Sequence, residues 1–246
     1  MLMDRTGKWQ DFWNEWRNKK IEKEEDLYFQ VGRTTQQKPM EKELFDVVNK
    51  EIIEILHLNE DDILVDLCCG NGLCTYEFRN VVKKIIAVDF APQMIEAAKE
   101  FKSAPNITYC LGGVHEFLEN FKNNWDVIPA KFLMNGGLPY FTPDDLRSIL
   151  AHIKDISGNN FISYFTIVPN DELKWNFYNT EERKQKYLAN IASGNFINDG
   201  IGRWWSPAEI EEICSSLNLK CICRNQVPPL ADYRMDIIIS SSNYYQ

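Results

Sequence analysis

The sequence has no apolar stretch long enough to cross a membrane. A membrane-spanning helix needs about 20 consecutive, mostly apolar residues, and no run of the chain approaches that length. The first eight residues (MLMDRTGK) also lack the apolar core of a secretory signal peptide. We therefore expect a protein that is not associated with a membrane and that has a cytoplasmic location.

Histidine is scarce, and the cysteines are not spaced as metal ligands. The chain has 3 histidines, and none of its 7 cysteines forms a C-x-x-C pair of the kind found in zinc sites. Cytoplasmic thiols stay reduced, so we expect the cysteines to act as small core residues and predict no metal site. The cysteines are Cys68, Cys69, Cys74, Cys110, Cys214, Cys221 and Cys223.

The chain has fewer basic than acidic residues. The chain has 27 Lys and Arg against 36 Asp and Glu, which gives a formal net charge of −9 at pH 7. Nucleic-acid binding requires a positive surface that displaces counterions, so this balance disfavours a nucleic-acid partner. The 44% of hydrophobic and 26% of charged residues are ordinary for a globular protein. A chain of 246 residues can form one large domain with a substantial core.

A short apolar stretch and the glycine turn after it are the most informative part of the sequence. Residues 63–67 (ILVDL) have the pattern of a buried strand in a parallel sheet. Gly70 and Gly72 follow, and without a Cβ they tolerate positive φ and leave a path open for a ligand. A second strand over residues 84–88 ends in Asp89, 23 residues after Asp66. An acid at this position can accept hydrogen bonds from both hydroxyls of a ribose.

These two segments resemble the class I S-adenosylmethionine-dependent methyltransferases. The similar stretches are VDLCCGNG at 65–72 and VDFAPQMI at 88–95. They lack the third glycine of the nicotinamide-binding fingerprint, and Cys68 stands where the family often has its first glycine. The resemblance implies S-adenosylmethionine as the cofactor. It also implies an α/β fold: a doubly wound, mostly parallel seven-stranded sheet with helices on both faces, an antiparallel closing strand, an N-terminal arm and an inserted helical cap.

The resemblance also implies which residues contact adenine. The family usually ends its third strand with an aspartate for this purpose, but the chain has Gly112 and Gly113 there. Backbone atoms of Gly113 and Val114, or the side chain of His115, are therefore expected to contact the ring. For His115, an exposed position at a helix start is the alternative. Met94 either lies against adenine or packs its own helix.

The fourth strand is expected to lead to the methyl donor. Proline is unusual inside a central strand, so Pro129 predicts that this strand ends near Ile128 and leaves Lys131 beside the donor. The complete predicted cofactor site is Asp66, Cys68, Gly70, Gly72, Asp89, Phe90, Met94, Gly113, Val114, His115 and Lys131.

Aromatic residues gather outside the motif-bearing segments. The first group recurs at helical spacing and predicts an amphipathic helix over about residues 8–22; it consists of Trp9, Phe12, Trp13 and Trp16. Its aromatic face either packs against the rest of the domain or lines a substrate site. We divide the chain into an N-terminal helix and arm over the site (1–39) and a class I methyltransferase domain (40–246). A cap insertion with further aromatic residues occupies 169–205.

The acceptor site is expected beneath these two covering segments. Its candidate residues are Tyr28, Arg33, Tyr140 and Trp204. Arg33 is available to an anionic substrate group through a forked pair of hydrogen bonds. The resemblance assigns no catalytic triad, and none is needed, because holding donor and acceptor in line can supply on the order of 7–11 kcal/mol.

The implied reaction is methyl transfer from S-adenosylmethionine to a small molecule, such as a metabolite or a surface-sugar precursor. A protein acceptor is the first alternative. A regulator that binds the cofactor without turnover is the second, because Gly113 replaces the usual acid. Enzymes that methylate nucleic-acid amino groups carry an Asn/Asp-Pro-Pro-aromatic motif after the fourth strand, whereas residues 135–140 are NGGLPY. No sequence feature indicates an oligomeric state.

Replacement of Asp89 by alanine should weaken cofactor binding. Hydrogen bonds to a charged group contribute about 1.5–3 kcal/mol, so Asp89→Ala should reduce the affinity for S-adenosylmethionine roughly 10- to 150-fold. Calorimetric titration measures this loss, and circular dichroism verifies that the variant is folded. An unchanged affinity in a folded variant would remove Asp89 from the ribose site.

Overall fold

The structure is a computed structural model that describes Trp9, Trp13, residues 21–35, 37–193, 200–242 and Tyr244. Trp9 and Trp13 are helical, in agreement with the predicted N-terminal helix. Phe12 and Trp16, the other two members of its aromatic face, lie outside the described residues.

Seven strands form one mixed sheet. They are β1 (Ile63–Leu67), β2 (Lys84–Asp89), β3 (Ile107–Leu111), β4 (Lys131–Asn135), β5 (Ile162–Pro169), β6 (Leu219–Asn225) and β7 (Arg234–Ser241). The order across the sheet is β3-β2-β1-β4-β5-β7-β6. The first five strands are parallel, and β7 runs antiparallel to both of its neighbours. The predicted sheet is confirmed.

Helices cover both faces of the sheet. The α-helices whose bounds lie within the described residues are α1 (Glu24–Gln30), α2 (Lys42–Leu56), α3 (Pro92–Phe101), α4 (Val114–Glu119), α5 (Phe121–Asn124), α6 (Pro143–Ile156), α7 (Lys174–Phe177), α8 (Glu181–Ala192) and α9 (Pro207–Ser216). Leu64 of β1 packs in a core cluster with residues of α2 and α3, whereas its neighbour Val65 packs in a second cluster with residues of α6 and α9. Because successive side chains of a strand point to opposite faces, this apolar strand needs cover on both sides.

The predicted position of the fourth strand is wrong. Pro129 precedes β4, which begins at Lys131, because proline has no N–H for the strand ladder. Lys131 therefore stands at the amino end of β4, at the sheet edge opposite the carboxyl ends. Its Nζ donates to the carbonyl oxygen of Leu56 at 2.7 Å and to the hydroxyl of Tyr244. Lys131 is not a residue of the predicted cofactor site.

The turn after β1 contains three residues with positive φ. The φ angles are 61° at Cys68, 56° at Gly70 and 72° at Gly72. A short 3-10 helix, Thr75–Phe78, follows the turn. Gly72 was expected to leave space for the ligand, but a Cβ at this position would collide with the ring of Tyr109. Gly72 therefore permits close packing between the turn and β3.

The segment after β5 leaves the sheet and returns to its starting point. It contains α7 and α8, and it closes where Trp205 pairs with Asn170. The N–H of Trp205 donates to the carbonyl oxygen of Pro169 at 2.9 Å. Trp204 packs among other aromatic rings, with centroid distances of 5.7 Å to Tyr178 and 6.1 Å to Phe177. Residues 194–199 lie outside the described residues, so the predicted cap is described only in part.

Substitution of Gly72 by alanine should destabilise the fold. Positive φ costs a non-glycine residue about 1–2 kcal/mol, and the Tyr109 ring would also have to move. We expect Gly72→Ala to lower the free energy of unfolding by about 2 kcal/mol or more in chemical denaturation. Gly112→Ala is the matched control, because no atom lies within 4 Å of a Cβ built there. Equal losses in the two variants would contradict this account.

Candidate functional site

A cavity of about 500 Å³ runs along the carboxyl ends of the parallel strands. Ligands of open α/β sheets bind at this edge. Nine predicted cofactor residues line the cavity: Asp66, Cys68, Gly70, Asp89, Phe90, Met94, Gly113, Val114 and His115. Two predicted acceptor residues, Arg33 and Tyr140, line it as well. The sequence motifs and part of the expected acceptor site therefore share one space.

Four predicted site residues do not line this cavity. Lys131 lies at the opposite edge of the sheet, and the open side of Gly72 faces Tyr109. Tyr28 packs edge-on against Phe45, with 5.4 Å between ring centroids. Trp204 belongs to the aromatic cluster at the base of the inserted segment. Both rings pack against other aromatic residues, and their place in an acceptor site stays a prediction.

Asp66 presents an unpaired carboxylate oxygen in the cavity wall. Its Oδ2 accepts a hydrogen bond from the hydroxyl of Thr75 at 2.6 Å, whereas its buried Oδ1 has no partner among the described residues. Burial raises the pKa of Asp66 from 3.8 to about 7, and the Thr75 hydrogen bond opposes part of this shift. Such an oxygen is costly to bury unless a ligand supplies a donor.

Asp89 fixes the glycine turn to the end of β2. Its Oδ2 accepts from the N–H of Gly70 at 2.9 Å, and its Oδ1 accepts from the N–H of Ala91 at 3.0 Å. Burial raises the pKa of Asp89, and hydrogen bonds from Ala91 and Gly70 counteract the rise. Each carboxylate oxygen can accept more than one hydrogen bond. Asp89 therefore holds the wall of the cavity and can still accept from a ligand hydroxyl.

Asn135 organises a polar part of the cavity wall, and sequence reasoning gave it no role. It is the last residue of β4, and its Oδ1 accepts from the guanidinium of Arg33 and from the hydroxyl of Thr166, the latter at 2.7 Å. Its Nδ2 lies 3.2 Å from the sulfur of Cys74. A polar residue directly after the apolar run of β4 was the signal that could have identified it.

A bulge in β5 shapes the cavity wall next to Asn135. The pairing of β5 with β7 shifts register between Phe165 and Val168. Ile167 has a φ of 63° there, which is strained for a β-branched residue. Its side chain lines the cavity, and its N–H donates to Oδ1 of Asp236 at 3.1 Å. Bulges and strained residues are frequent at functional sites, where they redirect side chains.

Two tryptophans near the start of the chain, Trp9 and Trp13, pack against Tyr140 at the cavity. The rings of Trp9 and Trp13 lie 4.9 Å and 5.5 Å from that of Tyr140, measured between centroids. The carbonyl oxygen of Trp13 accepts from Nε2 of Gln93 at 2.8 Å, which connects Trp13 to α3. Both tryptophans line the cavity. Of the two predicted roles for this aromatic face, this arrangement favours a wall of the site.

Comparison with known proteins finds similarity to methyltransferases. Residues 64–158 match a family model described as a methyltransferase domain. An uncharacterised methyltransferase of Schizosaccharomyces pombe is 36% identical over 53 residues, which are 22% of this chain and 20% of that protein. A 23S rRNA (uracil(1939)-C(5))-methyltransferase of Francisella tularensis subsp. novicida is 39% identical over 59 residues, which are 24% of this chain and 13% of that protein.

The fold is similar to a solved structure over nearly its whole length. Magnesium protoporphyrin IX methyltransferase from Synechocystis PCC 6803, crystallised with bound S-adenosylmethionine, superposes with a TM-score of 0.58 at 12% identity, covering 97% of this chain and 98% of that one. The match over residues 64–158 and the shared fold support the resemblance to class I S-adenosylmethionine-dependent methyltransferases, a family whose cofactor is S-adenosylmethionine. The prediction of family and cofactor is confirmed. The matched segments span a fifth or less of the two curated relatives.

The cavity residues fit S-adenosylmethionine. The unpaired Oδ1 of Asp66 is a suitable acceptor for the ammonium group of the methionine part. Asp89 lines the same wall and can accept from ribose hydroxyls. Among the described residues no cluster could hold a metal ion, and no helix is long and apolar enough to cross a membrane.

Asp66 should make cofactor binding depend on pH. With a pKa of about 7, Asp66 must release a proton before it pairs with an ammonium group in mildly acidic solution. The affinity for S-adenosylhomocysteine should therefore rise up to about 10-fold per pH unit as the pH approaches 7. The ligand's α-amino group stays protonated in this range. The same raised pKa makes the folded state lose stability as the pH increases from about 4 to about 7.

Two variants isolate the contribution of Asp66. In calorimetric titrations across this pH range, Asp66→Asn should bind weakly and lose most of the pH dependence. Asp61→Asn removes an exposed acid shortly before β1, and it should behave as the wild type does. A wild-type pH dependence in folded Asp66→Asn would assign the titrating group elsewhere.

Proposed function

We propose that this protein transfers a methyl group from S-adenosylmethionine to a small-molecule acceptor. The supporting observation is a single cavity that is lined by two chemically distinct sets of residues. The first set, Asp66 and Asp89, suits the cofactor. The second set, which we call the acceptor end, consists of Asn135, Arg33 and Tyr140 and offers further polar groups outside the cofactor motifs.

The residues of the cavity position the reactants and exclude water. S-adenosylmethionine, when bound, supplies an electrophilic methyl group on a sulfonium. In the proposal Asp66 holds the ammonium group, Asp89 the ribose, and the backbone near Gly113 and Val114 the adenine. Trp9 and Trp13 form a cover that limits access of water. Positioning of this kind can supply on the order of 7–11 kcal/mol, so the proposal needs no catalytic triad.

The cover and the charge favour a small acceptor over a nucleic acid. A base in a polynucleotide would have to reach beneath Trp9 and Tyr140, whose rings are in contact over the cavity. The net charge of −9 also opposes binding of a phosphate backbone. The rRNA methyltransferase relative matches over 59 residues only, which are 13% of that protein. This short match gives no reason to assign its RNA acceptor to this chain. A metabolite or a surface-sugar precursor remains the acceptor we propose.

Detection of a labelled product tests this function. The protein is incubated with S-adenosylmethionine deuterated in its methyl group and with small-molecule, protein and RNA fractions, and products are examined by mass spectrometry. We expect the label in a small molecule with the wild type and with Asp61→Asn, and its loss with Asp66→Asn. Label in protein or RNA alone would overturn the proposed acceptor class. Cofactor binding without any labelled product would favour the regulator.

A further inference from the structure

Two arginines from distant parts of the chain line the acceptor end of the cavity. Arg33 follows α1, and Arg234 is the first residue of β7. Because β7 is antiparallel to β5, its first residue lies at the carboxyl edge, opposite Pro169. Among the residues that the structure describes, neither guanidinium lies within ion-pair distance of a carboxylate.

Arg33 is held by a neutral partner. Its Nη2 donates to Oδ1 of Asn135, an oxygen that also accepts from the hydroxyl of Thr166. Burial lowers the pKa of Arg33, and the positive charge of Arg234 acts in the same direction. The guanidinium stays charged because its ordinary pKa is above 12. Two mutually repelling cations therefore remain near each other in a partly buried space.

Arg234 has a donor without an acceptor. Its Nε is buried and finds no hydrogen-bond partner among the described residues. Its guanidinium carbon lies 5.0 Å from the ring centroid of Tyr233, which gives packing but no acceptor oxygen. A buried N–H of a charged group is unfavourable unless a ligand or water satisfies it.

The nearby carboxylate of Asp236 is already engaged. Its Oδ1 accepts from the N–H of Ile167 at 3.1 Å and from Nε2 of Gln226 at 2.8 Å. Its Oδ2 lies 4.0 Å from the guanidinium of Arg224. Asp236 moderates the positive potential around Arg33, but it pairs with neither cavity arginine.

We propose that the methyl acceptor carries an oxyanion, a carboxylate or a phosphate-type group, that Arg33 and Arg234 bind together. Guanidinium groups present paired N–H donors that match the oxygens of both anions. Asn135 fixes the direction of Arg33, and the bulge at Ile167 fixes the strand beside Arg234. The inference rests on the proposed function, because it treats this end of the cavity as the acceptor site.

Anion titration of the cofactor-loaded protein tests the proposal. The protein is saturated with S-adenosylhomocysteine and then titrated with inorganic phosphate and, separately, with acetate. We expect at least one of them to bind, and about 10-fold or weaker binding in Arg33→Met and in Arg234→Met. Arg147→Met, which alters an exposed arginine on α6, is the matched control. Preference for phosphate or acetate identifies the class of oxyanion.

The affinity for S-adenosylhomocysteine distinguishes failure of this proposal from failure of the proposed function. This affinity should be unchanged in Arg33→Met and Arg234→Met, which would also show that both variants are folded. If Arg33→Met or Arg234→Met instead lowers the affinity for S-adenosylhomocysteine, the arginines bind the carboxylate of the ligand's methionine part, and the proposal is overturned. If neither anion binds the loaded wild type, the proposal is overturned while the proposed function stands. If the wild type does not bind S-adenosylhomocysteine, the proposed function fails first.

Discussion

The carboxylate of Asp89 is the constraint on which the rest of the site depends. By accepting from the N–H groups of Gly70 and Ala91, it joins the turn after β1 to the start of α3. The turn can come this close only because Gly70 and Gly72 adopt positive φ, and Gly72 lies directly against Tyr109. This arrangement keeps a free side of Asp66 facing the cavity, with an oxygen that a cationic ligand group can satisfy.

The acceptor end depends on the order of the strands. Asn135 and Thr166 are neighbours across β4 and β5, and the reversed direction of β7 brings Arg234 to the same edge. Arg33 reaches this edge from the N-terminal arm and is oriented by Asn135. Residues separated by 102 positions in sequence thus share a hydrogen bond. A class I sheet provides the edge, and its loops and closing strand provide the chemistry specific to this chain.

Sequence reasoning succeeded where local patterns determine structure. The apolar run at β1, Gly70 and Asp89 belong to one strand-turn-strand unit, so their placement at the carboxyl edge followed from neighbouring residues, whereas the role of Gly72 depends on packing against the distant Tyr109. The errors arose where contacts between distant parts of the chain determine the position of a residue. Pro129 correctly marked a strand limit, but it marks the beginning and not the end, and Lys131 was therefore assigned to the wrong edge. Arg234 could not be placed, because its position depends on the direction of β7 and on the bulge in β5.

A crystal structure of the complex with S-adenosylhomocysteine tests the central claim most directly. We predict that the ligand amino group lies within hydrogen-bond distance of Oδ1 of Asp66 and that the ribose hydroxyls contact Asp89. The ligand sulfur should point toward the space between Arg33, Asn135 and Tyr140. A ligand bound elsewhere, or one whose amino group contacts another residue while Asp66 stays unpaired, would contradict this account.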